Sequence, residues 1–308
     1  MGRSARSPAD FRDIDGILIL DKPAGISSNR ALQDARHIFR ARKAGHCGSL
    51  DPLATGVLPI CLGQATKYSA YLLNASKRYR AVCKLGQTST TGDAEGEITT
   101  IARVTVSRLE VVRVLEKLTG DIEQIPPMHS ALKHNGKRLY ELARQGKEVE
   151  RKPRQVRIHQ LELLSFEEDN LVIDVHCSKG TYIRTLAQDI GEALGCGAYM
   201  SQLRRTAVAP FWGEHDYSLD QLRVLAGHGM EKIDALLLPV SAAVSEYPVL
   251  ILDDSSCLDL QRGRVVQMDD SASVGIHRLV LQNGSFIGLG EAFPDGRLKA
   301  KRLMNTTR

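Results

Sequence analysis

The stretch Gly45-His46-Cys47-Gly48-Ser49-Leu50-Asp51-Pro52-Leu53-Ala54-Thr55-Gly56-Val57-Leu58 is rich in glycine, apolar between its glycines, and built around one Asp-Pro pair. An Asp-Pro pair among glycines is most often only a turn. Two features point further here. Pro52 restricts Asp51 to extended backbone and contributes no N–H of its own. Leu50, Leu53 and Val57 indicate a packed segment whose carboxylate is partly walled from water. A carboxylate held in such a place can act as nucleophile or base, because little bulk water screens it.

Upstream, residues 15–20 read as a short buried strand, and Lys22-Pro23 with Gly25 forces a turn. Ser27, Ser28 or Asn29 can cap a helix through about Arg40, with Leu32, Ala35 and Phe39 on one face. Residues 1–12 show no periodicity and are expected to form a disordered arm.

Downstream, residues 79–85 read as a strand with Tyr79, Ala81, Cys83 and Leu85 on one face, and Gln87–Gly96 as a polar loop. Ser107 and Glu110 have capping-box spacing. The helix they start carries Leu109, Val112, Leu115 and Leu118, and Gly120 closes it. Pro126-Pro127 opens a basic segment whose middle, about 136–145, is expected to be helical. Strands are expected at 161–165 and 171–177. A helix follows with Ile183, Leu186, Ile190 and Leu194 on one face, Thr181 as its N-cap and Gly195 as its stop. Strands and helices interleave without a strict βαβ rhythm, which predicts an α+β fold with a mixed sheet. From about Glu246 short apolar runs alternate with Gly, Asp and Asn turns, which predicts a small all-β module ending near Met304.

A chain of 308 residues suits two domains and can bury a large core without disulfides or metals. The six cysteines are scattered and form no Cys-x-x-Cys pair, which speaks against a zinc site and a disulfide framework. With no convincing signal peptide or apolar span, the reading is a reduced, cytoplasmic protein with no membrane association. The charge is unevenly distributed. Between Lys133 and Arg157 nine Lys/Arg face three acids, so that this segment alone exceeds the chain's net +5. Such a stripe is either a solvated face or a footprint for phosphates.

Arg184 falls in the first turn of its expected helix, where the macrodipole favours acids, so it either meets an anionic partner or swings out to water. Tyr79 and Tyr182 are candidates for stacking, or ordinary core or rim residues. His46 is a candidate base, wedge or structural hydrogen-bonder. A Cys47 nucleophile is disfavoured, because neighbours on an extended segment face opposite ways. No P-loop, His-Glu-x-x-His or dinucleotide fingerprint occurs, so phosphoryl transfer, zinc hydrolysis and hydride transfer lack motif support.

Five segments together resemble the bacterial TruB family of tRNA pseudouridine-55 synthases, in the family's order over about residues 15–210. They are Leu20-Asp21-Lys22-Pro23-Ala24-Gly25-Ile26-Ser27-Ser28, the opening stretch around Asp51, Lys77-Arg78-Tyr79 leading to Leu85-Gly86, Cys177-Ser178-Lys179-Gly180-Thr181-Tyr182-Ile183-Arg184-Thr185-Leu186, and Gln202-Leu203-Arg204-Arg205-Thr206. The one local departure is Cys47, where relatives commonly carry Thr or Ala; a small neutral side chain there predicts tolerated packing.

The resemblance implies a pseudouridine synthase fold with a mixed, largely antiparallel sheet over residues 13–245, an RNA-gripping insertion at about 126–157, and a PUA-like β-barrel RNA-binding module at 246–308. It implies isomerisation of uridine 55 in the tRNA T-loop by base flipping, without metal or organic cofactor. Asp51 becomes the nucleophile or base, Tyr79 the residue that stacks on the flipped base, and Arg184 the partner of Asp51. His46, Tyr182, Leu203 and Lys22 join Tyr79 as substrate contacts. Lys133, Lys137, Arg138, Arg144 and Arg154 are assigned to the RNA backbone. The partner is the tRNA T-arm, with no obligate protein partner, and a monomer is expected because one tRNA fills the basic groove. Two other readings are an RNA-binding or tRNA-folding protein whose catalysis is secondary, and a guide-RNA-dependent synthase, against which the basic insertion speaks.

Overall fold

The first strand, β1 (Gly16–Lys22), is buried along almost its whole length, as befits a strand inside a sheet and not at its edge. A computed structural model describes residues 11–130, 132–213, 215–268 and 273–305. Most of the arm expected at 1–12 therefore lies outside the described residues. Its last two members are packed: Arg12 ion-pairs with Asp234, and its N–H donates to the Arg40 carbonyl.

The chain runs through α1 (Ser28–Ile38), β2 (Ala44–His46), β3 (Thr55–Leu62), α2 (Ser69–Asn74), β4 (Lys77–Leu85), β5 (Gln87–Ser89), β6 (Ile98–Thr100), α3 (Arg108–Lys117) and β7 (Gly120–Gln124). A small hairpin of β8 (Lys133–His134) and β9 (Lys137–Arg138) leads into α4 (Leu139–Ala143). Then come β10 (Arg154–Glu167), β11 (Asn170–Cys177), α5 (Ile183–Ala193), β12 (Ala198–Val208), β13 (Tyr217–Ser218), α6 (Leu219–Gly227) and α7 (Met230–Asp234). Nine strands form one sheet in the order β13-β1-β3-β12-β4-β11-β10-β7, with β2 also on β3. β1–β13 and β3–β12 pair parallel and the other neighbours antiparallel. The fold is α+β with a mixed, largely antiparallel sheet.

After residue 245 come β14 (Val249–Leu252), α8 (Asp254–Gln261), β15 (Val266–Gln267), β16 (Gly275–Leu281), β17 (Phe286–Ala292) and β18 (Arg297–Leu303). They make a curled five-stranded sheet in the order β14-β16-β17-β18-β15. Its apolar side chains Leu289, Ile276 and Phe286, with Met304 just after β18, join the core that contains Ile17, Ile19 and Tyr68. The Tyr68 hydroxyl donates to the Arg302 carbonyl at 3.0 Å, and Lys67 Nζ to the Leu303 carbonyl at 2.9 Å.

Several local expectations hold in detail. Ser27 caps α1, and Ser107 and Glu110 close a reciprocal capping box on α3. Others need correction. α3 buries Val111, Val114 and Leu115 and leaves Leu109 exposed; its sequence is apolar on two overlapping stripes, and packing on the sheet selects the other one. The N-cap of α5 is Tyr182, not Thr181, so Arg184 stands at the second helical position, still within the first turn. β10 begins at Arg154, seven residues before the expected strand, because its first five residues pair with β7. The C-terminal module is not all-β, since Asp253 caps the helix α8.

Candidate active site

Four contacts pin the stretch around Asp51. Gly48 adopts φ +97°, a left-handed turn that glycine tolerates, and leads the chain from β2 toward Asp51. The buried Ser28 hydroxyl accepts from the Leu50 N–H at 2.7 Å and donates to the Leu50 carbonyl at 3.0 Å. Gly25 N–H donates to the Pro52 carbonyl at 2.8 Å. Arg205 Nη2 donates to the Gly48 carbonyl at 3.1 Å, and its Nε to the Val57 carbonyl at 2.6 Å. Gly56 lets β12 come this close. A Cβ there would fall 2.2 Å from the Arg205 carbonyl oxygen.

Arg184 reaches Asp51 from the start of α5. Its Nη2 lies 3.2 Å from Asp51 Oδ2 and donates to the His129 carbonyl at 2.6 Å. Its Nη1 lies 3.4 Å from Asp93 Oδ2 and donates to the Thr91 carbonyl at 3.1 Å. The anion that Arg184 asked for is therefore two carboxylates. Asp93 is buried in the loop between β5 and β6, and its other oxygen accepts from Thr91 Oγ1 and the Glu95 N–H. Asp51 keeps 40% of its side-chain surface open to the cleft. Even so, desolvation by the surrounding walls pushes its carboxyl above the usual range. Arg184 pulls it down and Asp93 pushes it up.

The open side of Asp51 faces a cleft of about 290 Å³. Tyr79, Tyr182 and Leu203 line it with Asp51 and Arg184, so four residues expected as catalytic or substrate contacts meet Asp51 in one place. Burial raises the Tyr79 phenol, against the nearby Arg205, and burial likewise raises Tyr182. The main chain of Tyr182 is clamped by Gln124, which accepts from its N–H at 3.0 Å and donates to its carbonyl at 3.3 Å. A larger groove of about 760 Å³ adjoins the cleft and is lined by His46, His129, Arg138, Tyr140 and Arg144. His46 is held toward its neutral form by burial and by Arg205.

Lys22 departs from its expected role. It is 0% exposed, and its ammonium donates to the carbonyls of Pro23 at 2.7 Å, Ile26 at 2.8 Å and Pro52 at 3.4 Å. An amine already committed to three carbonyls positions the loop and does not meet a ligand. Burial pushes it down to about 8. Lys77 is a parallel case, also pushed to about 8, with its ammonium on the carbonyls of Leu72, Leu73 and Ala75.

The basic segment divides. Arg138 and Arg144 flank the Tyr140 ring at 5.8 and 5.5 Å and face the groove. Arg154 is exposed at the start of β10 and acts electrostatically on Tyr182. Lys137 is exposed on the hairpin and lines neither cavity. The side chain of Lys133 lies outside the described residues. Asp93 and Arg205 were not singled out from sequence. The strand alternation of Arg204-Arg205 was the available signal for the second: Arg204 turns out to Asp21 and Asp216, and Arg205 turns in. Among the described residues no three His, Cys, Asp or Glu side chains converge as metal ligands.

Three family profiles match in succession: TruB family pseudouridylate synthase, N-terminal domain, over residues 36–183; tRNA pseudouridylate synthase B C-terminal domain over 184–245; and pseudouridine synthase II TruB, C-terminal, over 248–304. The chain is 49% identical over 296 residues to tRNA pseudouridine synthase B of Pseudomonas fluorescens, covering 96% of this chain and 97% of that one. It is 50% identical over 293 residues to the protein of the same name from Methylobacillus flagellatus, covering 95% and 96%. Among solved structures, a Cbf5–Nop10–Gar1 complex aligns with a TM-score of 0.71 at 27% identity, over 91% of this chain and 79% of that one. An H/ACA RNP bound to a substrate RNA shares the fold, with a TM-score of 0.73 at 24% identity over 94% and 84%. With near-complete coverage at about half identity, and with the cleft formed by the segments that carried the resemblance, the chain belongs to the TruB family of pseudouridylate synthases.

Proposed function

We propose that this protein converts uridine 55 in the T-loop of tRNA to pseudouridine, with Asp51 as nucleophile or base. The observation that carries the reading is the half-open carboxylate of Asp51, ion-paired to a buried Arg184 at the mouth of a cleft that also holds Tyr79. The names of the relatives support tRNA as the substrate.

The reaction breaks the N1–C1′ bond, turns the base and joins C5 to C1′. The C5 proton leaves and N1 takes one up, so the product is an isomer. The uridine must first leave its stack, at a cost of roughly a few kcal/mol. Stacking on an aromatic offsets that by about 1–3 kcal/mol, and Tyr79 offers the ring. Arg184 keeps a population of Asp51 ionised against the desolvating walls, and closure by RNA replaces its remaining solvent with fixed dipoles. Arg138, Arg144 and Arg154 hold phosphates beside the cleft, and the curled C-terminal sheet offers a second RNA contact.

The test is incubation of the purified chain, without guide RNA, with a tRNA transcript tritiated at uridine C5, followed by mass mapping of the product. Tritium release with pseudouridine at position 55 is expected, and Asp51→Asn should lower the rate at least about 10³-fold. Full activity in Asp51→Asn, or pseudouridine only at another position, sinks the reading. A protein that mainly folds RNA would keep its refolding effect in Asp51→Asn and lose it when Arg138 and Arg144 are replaced.

A further inference from the structure

Strand alternation that turns Lys77 and Tyr79 toward the cleft turns Arg78 and Arg80 to the opposite face of the sheet. There Arg78 pairs across with His176, and Arg80 with Asp174. Together with Thr206 and Trp212 these side chains line a second cleft, of about 470 Å³. Two guanidinium groups share one acid: Arg78 Nε lies 3.6 Å and Arg80 Nη2 3.9 Å from Asp174, both beyond hydrogen-bond length, while Arg78 Nη2 donates to Gln160 Oε1 at 3.1 Å. Two buried polar atoms here, His176 Nε2 and Thr206 Oγ1, have no hydrogen-bond partner among the described residues, and Arg78 Nε has only its long ion pair to Asp174. Buried polar atoms left unpaired are costly, and several in one cavity mark a place where a polar ligand fits. Trp212 stands 46% exposed, its ring edge-on to His176 at 5.2 Å, and His176 lies against His159 at 4.6 Å.

The chemistry is that of a single nucleotide. Guanidinium groups take a phosphodiester in forked hydrogen bonds. An exposed indole gives a base a stacking face, and a hydroxyl with an imidazole nitrogen reads a polar base edge. The two clefts lie on opposite faces of the same end of the sheet. Lys77 and Ser178 line the first; Arg78, next to Lys77, and His176, two residues before Ser178, line the second. Lys179, next to Ser178, is exposed and donates to Asn74 Oδ1 at 2.9 Å.

We propose that this second cleft binds one nucleotide of the RNA strand that runs off the Asp51 cleft around the end of the sheet, its phosphate on Arg78 and Arg80 and its base on Trp212. The proposal rests on the reading of the protein as an RNA-modifying enzyme. Trp212 is the one tryptophan in the chain, so intrinsic emission reports on this cleft. Titrating the full chain with unmodified tRNA transcript should quench that emission to saturation. Arg80→Glu, at an exposed side chain, should weaken binding about tenfold and leave turnover at saturating RNA unchanged. Trp212→Phe should retain most of the affinity, and Trp212→Ala should not. Emission that stays constant while filter binding records bound RNA overturns the proposal, as does wild-type affinity in Arg80→Glu. Quenching without tritium release would overturn the proposed function and leave this site standing; release with a silent tryptophan would do the reverse.

Discussion

Arg184 and Arg205 line the same cleft from different elements, and both are buried, yet their donors are satisfied in different ways. Arg184 ends on two carboxylates as well as two carbonyls. Arg205 ends on the carbonyls of Val57 and Gly48, with Lys22 and Lys77 as its electrostatic neighbours, each in turn bonded to carbonyls. The partners of Arg184 can take up a proton; a backbone carbonyl cannot. One wall therefore sets the charge state of Asp51, and the other holds the chain that carries Asp51 wherever the pH stands.

The hardest test of this division is Arg184→Ala. It leaves Asp51 and Asp93 facing each other without a cation, so it should cost about 10²–10³-fold in turnover, by analogy with the loss of other preorganised charges. Arg184 now holds the Asp51 carboxyl down, so its removal should move the acidic limb of the pH–rate profile to higher pH. An unmoved limb would break the first half of the comparison. Arg205→Met strikes the other wall. It strands two buried carbonyls and should lower unfolding free energy by about 2–4 kcal/mol in urea titrations. A variant as stable as wild type would show that the wall bears no structural role.

The buried lysines give a pH signature. Lys22 and Lys77 are pushed to about 8 in the fold, from 10.5. Between those values the unfolded chain binds more protons, so their contribution to stability rises with pH across that window and the penalty is complete below it. Wild type should therefore gain stability relative to Lys22→Met as pH increases from 8 to 10.5, by up to about 3 kcal/mol. Parallel stability curves would refute the burial cost. Asp93→Asn should act opposite to Arg184→Ala. Asp93 raises the Asp51 carboxyl, so its loss should shift the acidic limb to lower pH and change turnover near neutrality less than about tenfold. The mildest expected effect is that of Arg144→Ala, outside both walls: a few-fold rise in the RNA dissociation constant and a salt slope smaller by about one.

Much of this was legible because it is local. A serine three residues before a glutamate announces the cap of α3, and glycines announce the bend at Gly48. The family segments carry Asp51, Tyr79, Tyr182, Arg184 and Leu203, which line one cleft. What escaped depends on partners far along the chain. Asp93 reads as a loop acid, and only its meeting with Arg184 makes it part of the site. Lys22 reads as a turn residue and, by resemblance, as a substrate contact, and only the three carbonyls that converge on it explain its burial. The face of α3 was ambiguous in the same way, since either apolar stripe satisfies a helix taken alone.

The contact between the C-terminal sheet and the first core has a consequence for how the chain is made. Ile17 and Ile19, near the start, share a core with Leu289, near the end. A strand synthesised early cannot complete its packing until the last strands have left the ribosome. The sheet that carries the Asp51 loop is thus finished late, and a nascent chain interrupted at residue 245 would present the apolar surface around Tyr68 to its neighbours instead of a completed fold.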